Sequence, residues 1–280
     1  MSDKEKRDLI SKPNVLQKMI KHNPSIIDTI PKDVIEKTFE SNKIFRQTIL
    51  NIAKKKPNIL NNISTRPLYE LMVRNKEFRD NALKAMESNR YILDKLPHAA
   101  LGVLFDSDKE FRDIFLKKAE QDVIKQVPRE DNVLSFIPYE VLVYVFETNK
   151  EFREDVLKVA ERHELIFNPF RFNTISNLFK TDKEFRDSLL NIAITSNNSV
   201  LNFVSSSYLG ELFASDTEVR DKILKMAEQD YLALDRIPEE ILRNLFNSDE
   251  EFKKRILEMA KKDDNIFAVL PYDISSKYGT

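Results

Sequence analysis

The chain has no cysteine, no tryptophan and only three glycines in 280 residues. Without cysteine there is no disulfide and no thiolate metal site, which fits a reducing compartment. No glycine-rich phosphate loop, HExxH or G-x-S-x-G pattern occurs. The three histidines, His22, His98 and His163, are widely spaced in the sequence. Charge of one sign is not in excess: 45 Lys+Arg stand against 46 Asp+Glu, a net charge of −1. A surface that coats nucleic acid usually carries a basic excess, so that reading is disfavoured. No apolar run approaches the roughly 18 residues a membrane helix needs, and Val141 to Phe146 is far too short. The charged start, Met1 to Asp8, has no signal-peptide core. These absences set the expectation of a cytoplasmic or intracellular protein with no cofactor, no metal and no membrane span. They point away from an enzyme.

What the chain does have is repetition. The segment Phe105-Asp106-Ser107-Asp108-Lys109-Glu110-Phe111-Arg112-Asp113 recurs, with copies ending in Phe78-Arg79-Asp80, Phe152-Arg153-Glu154, Phe185-Arg186-Asp187 and Val219-Arg220-Asp221. Looser copies end in Phe45-Arg46-Gln47 and Phe252-Lys253-Lys254. Spacings between the motif positions 45, 78, 111, 152, 185, 219 and 252 are 33, 33, 41, 33, 34 and 33 residues. A fixed period in this range marks stacked repeats.

With the motif residue as position 0, apolar residues fall at +4, +5 and +8, for example Phe115, Leu116 and Ala119. That spacing is one arc of a helix, here called helix B. A second apolar set at −6, −7 and −10, such as Phe105, Leu104 and Leu101, defines a preceding helix A. Pro31, Pro97, Pro138, Pro238 and Pro271 stand at the start of helix A, where a missing N–H has no helical partner. Ser107, Thr148, Thr181, Ser215 and Ser248 each precede a glutamate by three residues (Glu110, Glu151, Glu184, Glu218, Glu251), which predicts a capping box opening helix B. After helix B, pairs such as Ile59-Leu60, Ile92-Leu93, Ile166-Phe167 and Ile266-Phe267 sit in a linker and should close the apolar layer between repeats.

The expected fold is all-α: an α-solenoid of about seven two-helix repeats of about 33 residues, with partial repeats at the termini. In a single repeat domain over 1–280, residues 1–11 are expected to fray. Residues 12–30 form an N-terminal partial repeat, 31–269 the seven hairpins and 270–280 a C-terminal half-repeat. Lys12 takes the place of the first motif phenylalanine, as suits a wetter cap. About eight extra residues near Val127–Leu134 lengthen one interval. Such insertions map to loops, and a tolerated surface loop is favoured over a binding device.

The period and helix pairing resemble HEAT-like α-solenoids and, more loosely, leucine-rich-repeat-variant arrays, over nearly the whole chain. Thr65-Arg66-Pro67-Leu68-Tyr69 is superficially like an ankyrin turn, but it occurs once, and three glycines cannot supply one turn per ankyrin repeat. The Trp, Leu-Gly and Tyr signature of tetratricopeptide repeats is missing. What the HEAT-like resemblance implies is a scaffold, adaptor or inhibitor that binds a protein or peptide partner. Two alternatives stay open: a HEAT-like nucleic-acid-binding protein or alkylpurine-glycosylase-like enzyme, and a structural repeat module of a larger assembly.

Two columns are candidate sites. Arg46, Arg79, Arg112, Arg153, Arg186 and Arg220 at +1 fall inside the apolar arc, so each guanidinium needs a partner. The residue four earlier (Asp108, Asp182 and Asp216, with Asn75 and Asn149) and the +2 acids of adjacent repeats are both available. The column reads as a structural ladder rather than a ligand-binding row. Lys84, Lys117, Lys158 and Lys225 at +6 point away from the arc and could form a stripe for an acidic peptide or phosphates. Against that, Asp80, Asp113, Glu154 and Asp221 lie four residues earlier, the order that favours ordinary helix-surface pairing. Tyr144, Tyr208 and Tyr272 on helix A are further interface candidates.

Overall fold

The structure is a computed structural model that describes residues 12–196 and 198–279. Every element among them is helical, and no strand is present. The chain divides into two compact units, Met1–Val145 and Phe146–Thr280. Both show the same repeating design.

The first unit begins with α1 (Pro13–His22) and continues through α2 (Lys32–Ser41), α3 (Lys43–Ala53), α4 (Thr65–Arg74), α5 (Lys76–Ser88), α6 (His98–Ser107) and α7 (Lys109–Ile124). Helix α8 (Tyr139–Thr148) carries the boundary. The second unit continues with α9 (Lys150–Ala160), α10 (Phe172–Thr181), α11 (Lys183–Thr195), α12 (Ser206–Ser215) and α13 (Thr217–Ala227). It ends with α14 (Glu239–Ser248), α15 (Glu250–Ala260) and the short α16 (Tyr272–Tyr278). From α2 on, even-numbered helices are A and odd-numbered helices are B, while α1 occupies a B position. Within each unit neighbouring hairpins stack, which is α-solenoid packing. Lys12, in the first motif position, is exposed.

The linker is not irregular. It is a 3₁₀ turn in each repeat, among them Pro57–Asn62, Arg90–Lys95, Tyr231–Arg236 and Asp264–Val269. The repeat therefore has three elements, and Ile59, Leu60, Ile92, Leu93, Ile166, Phe167, Leu234 and Ile266 are buried in the third. Edge-to-face phenylalanine pairs tie neighbouring repeats together. The −6 ring of one meets the motif ring of the next in Phe39–Phe78 (5.7 Å), Phe146–Phe185 (5.8 Å) and Phe213–Phe252 (5.9 Å). Each such pair contributes about 0.5–1.5 kcal/mol beyond the area it buries.

The expected capping box does not form. Helix B starts one residue later than that motif requires, and its cap is the Asn or Asp at −3. Asn42, Asn75, Asp108, Asn149, Asp182 and Asp249 accept the N–H of the motif phenylalanine at 2.9–3.1 Å, and Asp216 accepts that of Val219 at 3.3 Å. The hydroxyl at −4 is instead the last residue of helix A. Ser107, Thr181, Ser215 and Ser248 donate back to the carbonyl four residues earlier, at 2.6–2.8 Å. The physical reason is that one residue separates the two helices. Asp108, for example, gives its N–H to Leu104 O as the C-cap of α6 while its side chain N-caps α7. The prolines likewise stand one residue before helix A: Pro31, Pro97, Pro238 and Pro271 are N-caps.

The long interval is a built feature rather than a loose loop. Helix α7 has 16 residues, against 11 in α3, α9, α13 and α15. It closes with Gln126 in the left-handed region (φ 52°), which lets Val127 N–H return to Asp122 O at 2.9 Å. The Asp122 carboxylate is buried. One oxygen accepts Val133 N–H at 3.0 Å and the other an Arg90 Nη2 hydrogen at 3.2 Å. Arg90 also donates to the carbonyl of Asp131. A buried carboxylate without such donors would be costly, so this pairing fixes the inserted turn on the preceding repeat.

Candidate functional site

Each column arginine sits one residue after the motif position, in the first turn of helix B, and its guanidinium folds back over the end of helix A. There it donates to two main-chain carbonyls that helix geometry leaves unpaired. Arg46 donates to Phe39 O (3.0 Å) and Glu40 O (2.8 Å), Arg112 to Phe105 O (3.0 Å) and Asp106 O (2.7 Å), and Arg186 to Phe179 O (3.1 Å) and Lys180 O (3.2 Å). Arg79, Arg153 and Arg220 make the equivalent pairs. Burial holds Arg46 below the usual arginine range, opposed by the charge of Glu77.

The carboxylate partner is not the aspartate four residues earlier in the same repeat. It is the capping aspartate of the next repeat. The pairs are Arg79–Asp108 (3.2 Å), Arg153–Asp182 (3.0 Å), Arg186–Asp216 (3.9 Å) and Arg220–Asp249 (2.8 Å). The +2 acids of the second unit serve other cations: Asp187 takes Lys222 (2.7 Å) and Asp221 takes Arg255 (2.7 Å). Glutamates at −1 also bridge repeats, through Lys43–Glu77 (2.6 Å), Lys150–Glu184 (2.6 Å) and Lys183–Glu218 (3.0 Å), with Lys76 on Glu110; the last three of these acids are ones expected in capping boxes. Each of these four exposed lysines is coupled to the next repeat.

Lys84, Lys117, Lys158 and Lys225 are all exposed on helix B. Lys84 and Lys117 belong to the first unit, Lys158 and Lys225 to the second. Three of the four expected i,i+4 partners are engaged elsewhere: Asp113 faces Lys109 (3.8 Å), Glu154 faces Lys150 (3.9 Å) and Asp221 holds Arg255. Lys158 pairs with Asp155 (2.8 Å), whose hydrogen bond raises its pKa. Lys84, Lys117 and Lys225 form no ion pair with described residues. Of the tyrosines, Tyr272 is 83% exposed and Tyr144 56%, while Tyr208 lies under Lys180 Nζ at 4.7 Å.

A site that the column reasoning missed lies between α1 and α3, in the first unit. Gln17 and Lys21 of α1, Pro24 of the following turn, and Ile44, Gln47, Thr48, Asn51, Ile52, Lys55 and Lys56 enclose an open groove of about 540 Å³. That is within the range of ligand-sized clefts, about 300–1,000 Å³. Its wall is fixed by Gln17 Nε2 donating to Thr48 Oγ1 at 3.2 Å. Ile44 is 58% exposed and supplies apolar surface, while Lys21, Lys55 and Lys56 are exposed on the lining.

Among the described residues no carboxylate lines this groove. The signal was in the sequence as a departure from the repeat. At −1 every later repeat has glutamate, and this one has Ile44. At +2 five later repeats have an acid, and this one has Gln47. At +9 four have glutamate, and this one has Lys54. Compared with family models, with curated proteins and with solved structures, the chain finds no match in any of the three. Among the described residues no helix is long and apolar enough to cross a membrane, and no group of three or more His, Cys, Asp or Glu is placed to hold a metal ion.

Proposed function

We propose that the protein is a non-enzymatic binding module, an adaptor, scaffold or inhibitor that receives a segment of a protein partner on its helix B face. The observation that carries this reading is the α1–α3 groove, which exposes an apolar side chain between polar and basic walls on a rigid pair of helices. A helix or extended segment laid in such a cleft is a common mode of peptide recognition. The arginine column does not contribute, since its donors serve main-chain carbonyls and neighbouring aspartates. Lys84, Lys117, Lys158 and Lys225 are retained as secondary contact candidates. The nucleic-acid reading is disfavoured by the row of glutamates at −1 that runs beside those lysines.

Crosslinking of the full chain in its native extract, followed by mass-spectrometric mapping, tests this. Partner crosslinks concentrated on Lys21, Lys55 and Lys56 are expected. Partner crosslinks confined to the helix A face would remove the groove from the reading.

A further inference from the structure

We infer that the α1–α3 groove selects an acidic peptide segment with an apolar anchor, its carboxylates meeting Lys21, Lys55 and Lys56 and its anchor resting on Ile44 and Ile52. This rests on the binding-module reading above and specifies the partner's chemistry.

Three observations converge on one occupant. First, the lining holds three lysines and, among the described residues, no acid, in a chain whose overall charge is nearly balanced. The positive charge of this groove is therefore local and uncompensated by its own walls. Second, the groove is not uniformly polar. Ile44 is more than half exposed, and Ile52 and Pro24 are half-buried beside it. An exposed isoleucine at a position where each later repeat has glutamate leaves apolar area that a partner side chain can cover. Burying it yields roughly 25 cal/mol per Å² of area removed from water. Third, Gln17, Gln47 and Asn51 line the same cleft and offer side-chain amides. Gln17 already engages Thr48, and Gln47 Nε2 donates to Asn51 Oδ1 at 3.3 Å, so the polar wall is ordered before a ligand arrives.

Charge and apolar surface together favour a peptide over a polyanion. A phosphate backbone would use the lysines and leave Ile44 uncovered, whereas an acidic segment with a leucine or phenylalanine satisfies both. Complementary charge at the rim sets association rate and salt sensitivity, and the apolar centre sets residence.

The test uses the full chain, a displayed library of random peptides of about twelve residues, and the variant K21E/K55E/K56E. All three lysines are exposed, so the variant should keep its helical circular dichroism and unfolding midpoint. Enriched peptides should combine Asp or Glu with a large apolar residue. They should weaken about tenfold or more on the variant and lose affinity as salt rises past the physiological range. Ile44→Ser provides an independent arm: affinity should fall while the salt dependence stays. Enrichment of neutral or basic peptides, no enrichment at all, or binding unchanged by the triple variant would overturn the inference. So would tighter binding of a homopolymeric single-stranded RNA that the same variant abolishes. If native partners crosslink to the groove while acidic peptides fail, the charge selection falls and the binding-module reading stands. If they crosslink elsewhere, the groove leaves that reading and this inference falls with it.

Discussion

Asp182 serves two repeats at once: Oδ1 accepts Phe185 N–H at 3.0 Å and caps its own helix, while Oδ2 accepts from Arg153 Nη2 of the preceding repeat, also at 3.0 Å. The two roles can be separated by substitution. Asp182→Asn keeps an acceptor for the cap and removes the charge, and should cost about 1 kcal/mol; Asp182→Ala removes both and should cost about 2–3 kcal/mol. Urea unfolding of the two variants checks this. Equal losses would mean that the cap contributes nothing measurable.

The arginines should not be equivalent. Arg153 is paired at 3.0 Å, whereas Arg186 reaches Asp216 only at 3.9 Å and its buried Nε has no hydrogen-bond partner. Arg153→Met should destabilise by about 2–4 kcal/mol, because it leaves carbonyls and a carboxylate short of donors. Arg186→Met should cost clearly less. Comparing their denaturation midpoints decides the order, and the reverse order would contradict the pairing.

Two helix A glycines mark close approaches of unequal severity. A Cβ at Gly210 would stand 2.6 Å from Pro238 Cδ, and one at Gly102 would stand 3.1 Å from Val141 Cγ2. A proline ring held at a helix start cannot retreat, so Gly210→Ala should destabilise by about 1–3 kcal/mol. Gly102→Ala meets one methyl and gains up to about 1 kcal/mol of helix propensity, so it should lie close to neutral. Thermal unfolding of both variants reads the difference.

The acid limb of stability should depend on Asp249. The backbone N–H of Phe252 holds its carboxyl below the usual range, helped by Arg220 and opposed by burial. A carboxyl whose folded pKa is depressed contributes stability that is present above its unfolded value, near pH ~4, and lost as pH falls through the folded value. Asp249→Asn should therefore lower stability at neutral pH and flatten the loss below pH ~4. A pH series of unfolding midpoints with an unchanged acid slope would refute this.

The inserted turn should be sensitive to one side chain. Asp122 is 1% exposed and holds both Val133 N–H and Arg90. Asp122→Ala leaves both donors unmatched and should cost about 2–4 kcal/mol. Hydrogen exchange should quicken first at Val133 and Leu134. Loss spread evenly over the first unit would argue against a local clasp.

Much of this architecture was legible in residue spacing. The apolar positions on helices A and B follow from a 3.6-residue turn, and Phe45, Phe78, Phe111, Phe152, Phe185 and Phe252 are buried where that spacing puts them. The joint between the helices was misread because two chemically adequate caps are adjacent. Ser107 and Asp108 can each accept an N–H, and only the one-residue turn decides for Asp108. The arginine partner was misassigned for a related reason. A residue four earlier is near on one helix, but Asp108 lies before its helix begins, and its free oxygen faces the preceding repeat and Arg79. The groove went unnoticed because column reasoning looks for what recurs, and Ile44, Gln47 and Lys54 are informative by differing.

The single-residue joint at Asn42, Asn75, Asp108, Asn149, Asp182, Asp216 and Asp249 divides each repeat into a rigid and an elastic edge. Adding one residue there would uncouple the end of one helix from the start of the next, so that edge has no slack. The opposite edge, after helix B, tolerates growth: the 41-residue interval is lengthened there, and so is the 34-residue one, where the buried pair Val200-Leu201 lies one residue later than its counterparts. Variation in length, and with it the raw material for new loops, is thereby channelled to one margin of the array.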